Sequence, residues 1–432
     1  MFANFVYLLM LALASPWILY RVIAHGRYRR GGRQKLFGLS PGDAKRLRGD
    51  DKPCIWFHAV SVGEVNLLSS LVPAVQDALP PFRMLVSTST DTGFDLAVDR
   101  FGADRVFFCP LDFSWAVKST IRRLRPQMLV LTELELWPNL IRCSEKLGVP
   151  VAVVNGRLSA TSARRYQQFS WFLRLTFQRI DWLGAQDESA AQRFRDCGCS
   201  EVDVTGSLKF DGAPDNRDDP RVLALADWAG VAPWQRVWCV GSTQAGEEAM
   251  ALAVYQDLAP KHPELRLILV PRHQQRFDEV AQLVEDSGLS LRRRSRSSDA
   301  VSDAWDADTV ILVDTIGELR QWWGVSQIAT VGGSFGDRGG QNMLEPAGYG
   351  CAVSFGPNTK NFAAIAGGLL KVQGAVRVQD EKELNQFVRR CLDDVPSADR
   401  LGINARQYVA QHQGATGRTV DAMKRLLQLR AG

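Results

Sequence analysis

Residues 54–64 read CIWFHAVSVGE, a short run of mostly apolar residues that is followed by a turn containing Gly63 and then by Glu64. The same order of apolar run, turn and longer amphipathic stretch recurs as far as about residue 205, which is typical of parallel strands covered by helices on both faces. The predicted strands of this half are Cys54–His58, Arg83–Ser87, Met128–Thr132, Val151–Val154 and Trp182–Ala185. This half is therefore predicted to be an α/β domain with a parallel sheet.

A polar segment rich in turn-forming residues, DGAPDNRDDP at 211–220, separates this half from a second one with the same pattern. The predicted strands of the second half are Val237–Val240, Leu265–Val270, Thr309–Val313 and Ile328–Val331. Because 432 residues exceed what one hydrophobic core usually fills, we predict two Rossmann-like domains. Residues 292–308 lack apolar periodicity and are predicted to form a surface loop, whereas residues from about 404 to 429 are predicted to be helical.

The N-terminal segment is apolar from Phe5 to Tyr20 and is followed by a basic run without acidic residues. The cations of that run are Arg21, Arg27, Arg29, Arg30, Arg33 and Lys35. The pattern predicts a membrane anchor at residues 1–24 whose basic side faces the cytoplasm. An apolar helix of this length is about 24 to 30 Å long, so it either spans the bilayer or lies within one leaflet. A cleaved signal peptide is the alternative, although no Lys or Arg precedes the apolar run.

Acidic side chains follow two of the predicted strands in the first half. Functional loops of parallel α/β sheets lie at the carboxyl ends of the strands, which makes these acids candidates for chemistry. Glu64 is either such a functional group or simply a first-turn acid favoured by the helix dipole. Glu133 and Glu135 follow Met128–Thr132, and strand alternation is expected to turn both to one face in an otherwise apolar setting.

A glycine-rich loop, GGSFGDRGG at 332–340, follows the predicted strand Ile328–Val331. A strand, such a loop and a helix start near Asn342 together suit a phosphate cradle, because glycine leaves backbone N–H groups accessible; a flexible turn is the alternative. The loop matches neither the Walker pattern nor GxGxxG.

Three further strand-end loops are expected to converge on the same side as the glycine-rich loop. They are Gly241–Gln244, which Glu247 and Glu248 follow, Pro271–His273, and Asp314–Glu318. Arg272 could pair with a phosphate or form a surface salt bridge.

Composition narrows the chemistry. The net charge of +5 arises from 52 basic and 47 acidic residues, and nucleic acid is not expected as a partner. None of the five histidines has metal-ligand spacing, and the eight cysteines form no zinc pattern and are expected to be reduced thiols. We therefore expect neither a metal nor a cofactor.

An ordered series of motifs runs through the chain: FHAVSVGE at 57–64, ELELWPN at 133–139, NGRLS at 155–159, GSLKFD at 206–211, VPRH at 270–273, DTIGEL at 314–319, the run 332–346, and FGP at 355–357 with Asn361 and Phe362. This series resembles the 3-deoxy-D-manno-octulosonic acid (Kdo) transferases of lipopolysaccharide biosynthesis over essentially the whole chain. The resemblance implies a GT-B fold, in which two Rossmann-like domains face a cleft behind an N-terminal membrane-anchor helix. It implies an acceptor domain at 25–210 and a donor domain at 211–432, whose C-terminal helices pack back on the first domain.

The resemblance also implies an activity: inverting, metal-independent transfer of Kdo from CMP-Kdo to a lipid A precursor of the lipid IVA type. The reaction would take place at the cytoplasmic face of the bacterial inner membrane, where anionic lipids would also be partners. The family's proton acceptor falls on Glu64, and its transition-state stabilisers fall on Glu133 and Lys209. Its CMP contacts fall on Pro271, Arg272, Ile316, Gly317, Glu318, Asn342, Met343, Leu344 and Glu345.

Two positions depart from the family pattern. Gln244 stands where a histidine is usual, and Leu134 stands where threonine is common. Glutamine donates hydrogen bonds but does not titrate near neutral pH, so an acid–base role at position 244 is in doubt. A GT-B transferase or epimerase with another nucleotide sugar, and a non-catalytic sugar-nucleotide binding protein at the membrane, are the alternative functions. The sequence does not determine how many Kdo residues are added or which acyl chains and phosphates the acceptor must carry. It does not determine the oligomeric state either.

Overall fold

The computed structural model describes residues 4, 7, 8, 13, 30–49, 52–135, 137–168, 170–296 and 305–431. The chain divides into two compact units, Met1–Asp211 with Gln413–Gly432, and Gly212–His412. Most of the predicted membrane anchor at 1–24 lies outside the described residues. Within the described ranges, no helix combines the length and the apolar character needed to cross a bilayer.

The first unit contains a sheet of seven parallel strands. They are β1 (Cys54–His58), β2 (Arg83–Thr88), β3 (Val106–Phe108), β4 (Met128–Thr132), β5 (Val151–Gly156), β6 (Trp182–Ala185) and β7 (Val202–Val204), in the order β3-β2-β1-β4-β5-β6-β7. The five predicted strands are confirmed. The sequence did not reveal β3 and β7, which have three residues each and are too short to show a pattern.

Helices cover both faces of this sheet. They are α1 (Gly32–Phe37), α2 (Pro41–Arg48), α3 (Val62–Ala78), α4 (Asp91–Phe101), α5 (Ser114–Leu124), α6 (Pro138–Lys146), α7 (Ala160–Gln168), α8 (Ser170–Phe177), α9 (Glu188–Cys197), α10 (Leu208–Asp211) and α19 (Ala415–Ala431). Neighbouring residues of β1 enter opposite cores, since Trp56 packs in one cluster and Phe57 in the other. The Asp211 carboxylate accepts hydrogen bonds from the backbone N–H groups of Gly414 and Ala415, which fixes the start of α19.

The second unit repeats the architecture. Its strands are β8 (Arg236–Thr243), β9 (Leu265–Pro271), β10 (Ser290–Arg293), β11 (Thr309–Leu312), β12 (Ile328–Val331), β13 (Ala352–Phe355) and β14 (Ala375–Arg377), in the order β10-β11-β9-β8-β12-β13-β14. Its helices are α11 (Pro220–Ala229), α12 (Glu247–Leu258), α13 (Phe277–Asp286), α14 (Leu319–Val325), α15 (Leu344–Gly348), α16 (Ala363–Lys371), α17 (Glu381–Asp393) and α18 (Val395–His412). The four predicted strands are confirmed.

The predicted surface loop at 292–308 is wrong in part. Arg292 and Arg293 belong to the edge strand β10, and Trp305 is only 1% exposed. Two arginines in succession hid this strand, because an edge strand needs no apolar run. Residues 297–304 lie outside the described part of the chain.

The strand order places one switch point in each sheet. In the first unit β1 lies between β2 and β4, and in the second unit β8 lies between β9 and β12. Loops that leave adjacent strands in opposite directions open a crevice at the carboxyl ends of those strands. The residues after β1 and β4, and those after β8 and β12, are therefore where a ligand site is expected in each unit.

Candidate active site

Glu64 lies in the first turn of α3, directly after β1, and its side chain is only 8% exposed. One carboxylate oxygen accepts the Val60 backbone N–H at 2.7 Å, and the other accepts the Ser61 hydroxyl at 2.9 Å. Glu64 therefore closes the helix start, as expected of a first-turn acid, and it lies after a central strand, while its functional role stays a prediction.

Burial raises the pKa of Glu64 to about 7. The negative charges of Glu135 and Glu133 raise this pKa as well, while the hydrogen bonds from Val60 and Ser61 lower it. A carboxylate that titrates near neutral pH is suited to accept a proton from a substrate hydroxyl.

Glu133 is placed by an unusual backbone conformation. It follows the last residue of β4 with a φ of 59°, in the left-handed region, and its N–H donates to the carbonyl of Val154 at 2.9 Å. The expected strand alternation of Glu133 and Glu135 is therefore wrong, because β4 ends at Thr132 and a loop sets both side chains.

Asn155 joins Glu133 to the segment that contains Lys209. This fully buried residue, with a φ of 56°, donates from its side-chain amide to Glu133 at 3.4 Å. Its side-chain oxygen accepts the backbone N–H of Leu208 at 3.0 Å, next to the half-buried Lys209 in α10. The structure thus links two of the three predicted catalytic residues, Glu133 and Lys209, through a residue to which the sequence assigned no role.

Glu135 is held by an aromatic neighbour. The Trp137 indole N–H donates to the Glu135 carboxylate at 2.9 Å, and the Trp137 ring meets the His58 ring edge-on, with centroids 5.8 Å apart. His58 is fully buried, and burial lowers its pKa to about 4, so the imidazole is neutral at physiological pH. It stabilises the loop by packing rather than by charge.

The glycine-rich loop of the second unit does not form the free phosphate cradle that the sequence suggested. The buried carboxylate of Glu247 accepts the backbone N–H groups of Gly333, Ser334 and Phe335 at 2.8, 3.2 and 3.2 Å. These donors are already satisfied by the protein itself. The helix that follows, α15, begins at Leu344 and has only five residues.

The residues after this loop form a compact polar group. The Asn342 amide donates to Glu345 at 3.2 Å, and the Asn342 side-chain oxygen accepts the N–H of Leu344 at 3.1 Å. Burial raises the pKa of Glu345, while the nearby cations Arg320 and Arg272 lower it. Met343 and Leu344 are fully buried as whole residues.

Arg272 follows the buried Pro271, the last residue of β9, and its side chain is exposed. Its backbone N–H donates to Thr243 at 3.1 Å, and its guanidinium forms no hydrogen bond or ion pair with any described residue. The surface salt bridge considered from the sequence is thus absent from the described part of the chain. This cation is available to an external anion.

The strand β11 lies beside β9 in the sheet, and the loop that follows β11 contains Ile316, Gly317 and Glu318. Ile316 at its tip is 77% exposed, and Gly317 has a φ of 91° that a side chain would strain. Glu318 is paired with Arg294, whose guanidinium donates to it at 3.0 and 3.1 Å. The loop therefore exposes the apolar side chain of Ile316, while the charge of Glu318 is paired with Arg294.

Two parallel α/β units, each with polar groups at the carboxyl ends of its central strands, are similar in fold to GT-B glycosyltransferases. UDP-GlcNAc 2-epimerase from Neisseria meningitidis, solved with UDP-GlcNAc, is similar in fold with a TM-score of 0.56, 12% identity, and coverage of 86% of this chain and 100% of that chain.

Sequence comparison identifies the family. Residues 32–212 match the family described as 3-deoxy-D-manno-octulosonic-acid transferase (kdotransferase). The 3-deoxy-D-manno-octulosonic acid transferase of Haemophilus influenzae is 34% identical over 381 residues, 87% of each chain, and that of Bordetella pertussis is 34% identical over 378 residues, 86% of each chain. The chain belongs to the Kdo transferase family of glycosyltransferases, which confirms the resemblance seen in the sequence.

The raised pKa of Glu64 predicts a pH-dependent effect of Glu64→Gln on stability. Between about pH 4.5 and 7 the folded protein retains the Glu64 proton that the unfolded chain releases, so the wild type loses stability as the pH rises. Glutamine carries no such penalty. The unfolding midpoint of Glu64→Gln relative to wild type should therefore increase from pH 5 to pH 8. A pH-independent difference for Glu64→Gln would contradict the shift.

Proposed function

We propose that this protein transfers Kdo from CMP-Kdo to a phosphorylated, acylated glucosamine disaccharide, a lipid A precursor of the lipid IVA type. The observation that carries the proposal is the buried Glu64 carboxylate, which titrates near neutral pH at the end of a central strand. Membership of the Kdo transferase family supports the sugar that is transferred.

The proposed reaction is a single inverting displacement without a metal or cofactor. A hydroxyl of the acceptor attacks the anomeric carbon of Kdo, Glu64 takes the hydroxyl proton, and the bond between that carbon and the CMP phosphate oxygen breaks. Positive charge develops on the sugar ring during bond breaking, and the carboxylate of Glu133 would stabilise it. The Lys209 ammonium would stabilise negative charge that develops as the bond to CMP breaks.

The second unit is proposed to bind the donor. The guanidinium of Arg272 is exposed and has no partner among the described residues, and it suits the CMP phosphate because an arginine fork matches phosphate oxygens. Asn342 and Glu345 offer hydrogen-bonding groups beside it. The exposed Ile316 offers an apolar surface against which the base or ribose could pack. Gln244 would contribute hydrogen bonds but no proton transfer.

The membrane is proposed as the place of the reaction, at the cytoplasmic face of the bacterial inner membrane. Two cations of the predicted basic run already have partners within the first unit: Arg30 pairs with Asp95 at 2.8 Å, and the Lys35 ammonium lies 4.3 Å from the centre of the Phe108 ring. Arg33 is exposed. The contact with anionic lipid would then depend more on Arg33, Arg29 and Arg27 than on Arg30.

The reaction itself is tested by incubating the full-length protein with CMP-Kdo and the lipid A precursor and measuring product mass. We expect a product heavier by one or more Kdo residues. Glu64→Gln should lower turnover by about 10²- to 10⁴-fold, the usual worth of a positioned general base. Turnover of Glu64→Gln close to wild type would exclude Glu64 as the base.

A panel of nucleotide sugars tests the donor. If the protein forms no product with CMP-Kdo but forms product with another donor, the assigned donor is wrong.

Donor binding by the second unit predicts that Arg272→Ala weakens CMP binding. Loss of a charge-assisted contact to phosphate should raise the Kd for CMP by about tenfold or more, and association with acceptor-containing vesicles should not change. Calorimetric titration with CMP and vesicle sedimentation measure the two effects. The matched control is Arg338→Ala, an exposed arginine of the glycine-rich loop outside the proposed contacts. A variant Arg272→Ala that binds CMP normally but loses the acceptor would reverse the roles of the units.

Lipid attachment through the basic run predicts that Arg29→Gln with Arg33→Gln weakens sedimentation with anionic vesicles, most strongly at low salt, where screening is weakest. Arg30→Gln should have a smaller effect, because Asp95 already neutralises that cation. Vesicles without anionic lipid are the control. Equal binding of wild type and the double variant to anionic vesicles at low salt would show that these cations do not bind lipid.

A further inference from the structure

Glu247, the first residue of α12, gathers backbone N–H groups from two loops of the second unit. One carboxylate oxygen accepts Gln244 at 2.9 Å and Gly333 at 2.8 Å, and the other accepts Ser334 and Phe335 at 3.2 Å each. The side chain is only 5% exposed. Four donors on one buried carboxylate satisfy its charge without a cation, much as a cradle of N–H groups satisfies a bound anion.

The glycine before these donors shows how closely the carboxylate fits. A Cβ at Gly332 would lie 2.6 Å from the Glu247 carboxylate oxygen and 2.8 Å from the Ser242 carbonyl oxygen. Gly332 is therefore required by the close approach of Glu247 and of the backbone at Ser242 and Thr243. The same carboxylate joins the loop after β8 to the loop after β12, which are adjacent strands at the switch point of the sheet.

The contacts of Glu247 continue to the proposed donor residues. Gly333 donates its N–H to Glu247, and its carbonyl accepts the N–H of Gly340 at 2.7 Å. Gly340 is followed by Gln341 and Asn342, and Asn342 donates to Glu345. The hydrogen bond from Gly333 to Glu247 and the one from Gly340 to Gly333 therefore fix the position of Gly340, from which the chain continues to Asn342. At its other end, the Glu247 carboxylate fixes the backbone of Gln244.

We propose that Glu247 is a positioning residue for the nucleotide donor: its carboxylate fills the N–H cradle of the glycine-rich loop and thereby sets Gln244 and Asn342 in their binding positions. This inference rests on the proposed function, in that the ligand is the cytidine nucleotide. It also assigns the donor phosphate to Arg272 and its surroundings, because the cradle at Gly333–Phe335 is filled by the protein.

The neighbouring Glu248 provides a matched control. It is also fully buried in the first turn of α12, but its carboxylate accepts the Thr243 hydroxyl at 2.6 Å and pairs with both terminal nitrogens of Arg276 at 2.6 and 3.0 Å. Among the residues described, it forms no hydrogen bond with the glycine-rich loop. Glu248→Gln therefore removes a buried carboxylate charge that is paired with Arg276, and it leaves the hydrogen bonds between Glu247 and the loop in place.

The test compares Glu247→Gln, Glu247→Asp and Glu248→Gln in the full-length protein. A glutamine at 247 would turn an NH₂ group toward two of the four backbone donors, so we expect the Kd for CMP and the KM for CMP-Kdo to rise by about tenfold or more, with the acceptor KM unchanged. Glu247→Asp, which keeps the charge on a shorter side chain, should fall between wild type and Glu247→Gln. Hydrogen exchange of the amides of Gly333, Ser334 and Phe335 should accelerate in Glu247→Gln but not in Glu248→Gln.

The outcomes separate this inference from the proposed function. Wild-type protein that binds no CMP would overturn the donor assignment and this inference with it. Wild-type binding of CMP together with a Kd for Glu247→Gln within about twofold of wild type would overturn the role of Glu247 alone. An equal loss of CMP affinity in Glu248→Gln would also overturn it, since general destabilisation would then explain the effect. If Glu247→Gln does not fold, a wild-type Kd in Glu247→Asp would count against the proposal.

Discussion

A buried carboxylate must be hydrogen-bonded, paired with a cation or protonated, and this requirement acts at the same topological point in both sheets. Glu64 lies in the first turn of the helix after β1, and Glu247 lies in the first turn of the helix after β8. Two donors reach Glu64, whereas four backbone N–H groups reach Glu247. The same local position thus serves two purposes, and the number of donors distinguishes them. Burial raises the pKa of Glu64 to about 7, and the Glu247 carboxylate hydrogen-bonds the loops after β8 and β12.

The carboxylates near Glu64 strengthen this distinction. Glu133 and Glu135 add negative charge that disfavours ionisation of Glu64. Neither side chain is oriented by strand alternation, because the strand β4 ends at Thr132. The left-handed conformation of Glu133 and the Trp137 indole bound to Glu135 place them. Strained backbone at Glu133 persists because Val154 and Asn155 hold it from the adjacent strand. The pKa of Glu64 therefore depends on burial first, and on the loop after β4 as well as on its own helix.

The sequence predicted nine of the fourteen strands, all of which have at least four residues and a readable apolar pattern. It missed the three-residue strands β3, β7 and β14, the edge strand β10, which contains two arginines, and the four-residue strand β13. The motifs located Glu64, Glu133 and Arg272, but local patterns could not reveal contacts between distant residues. Glu247 and Gly333 are 86 positions apart, and Asn155 and Leu208 are 53 apart. The prediction of a free phosphate cradle at the glycine-rich loop was wrong for this reason. Glycine content indicates that backbone N–H groups are accessible, but it does not indicate that Glu247 accepts their hydrogen bonds.

Three arginines near β9 are paired with carboxylates. Arg276 is committed to Glu248 and Glu279, Arg293 to Asp314 and Asp278, and Arg294 to Glu318. Arg272, by contrast, has no partner of this kind among the described residues. Burial raises the pKa of the half-buried Glu345, and the charges of Arg320 and Arg272 lower it. An exposed cation without such a partner can bind an external anion such as a phosphate. The first unit concentrates acids around Glu64, and the second leaves a cation free. This division suits a displacement in which a hydroxyl loses a proton and a phosphate departs with the bonding electrons.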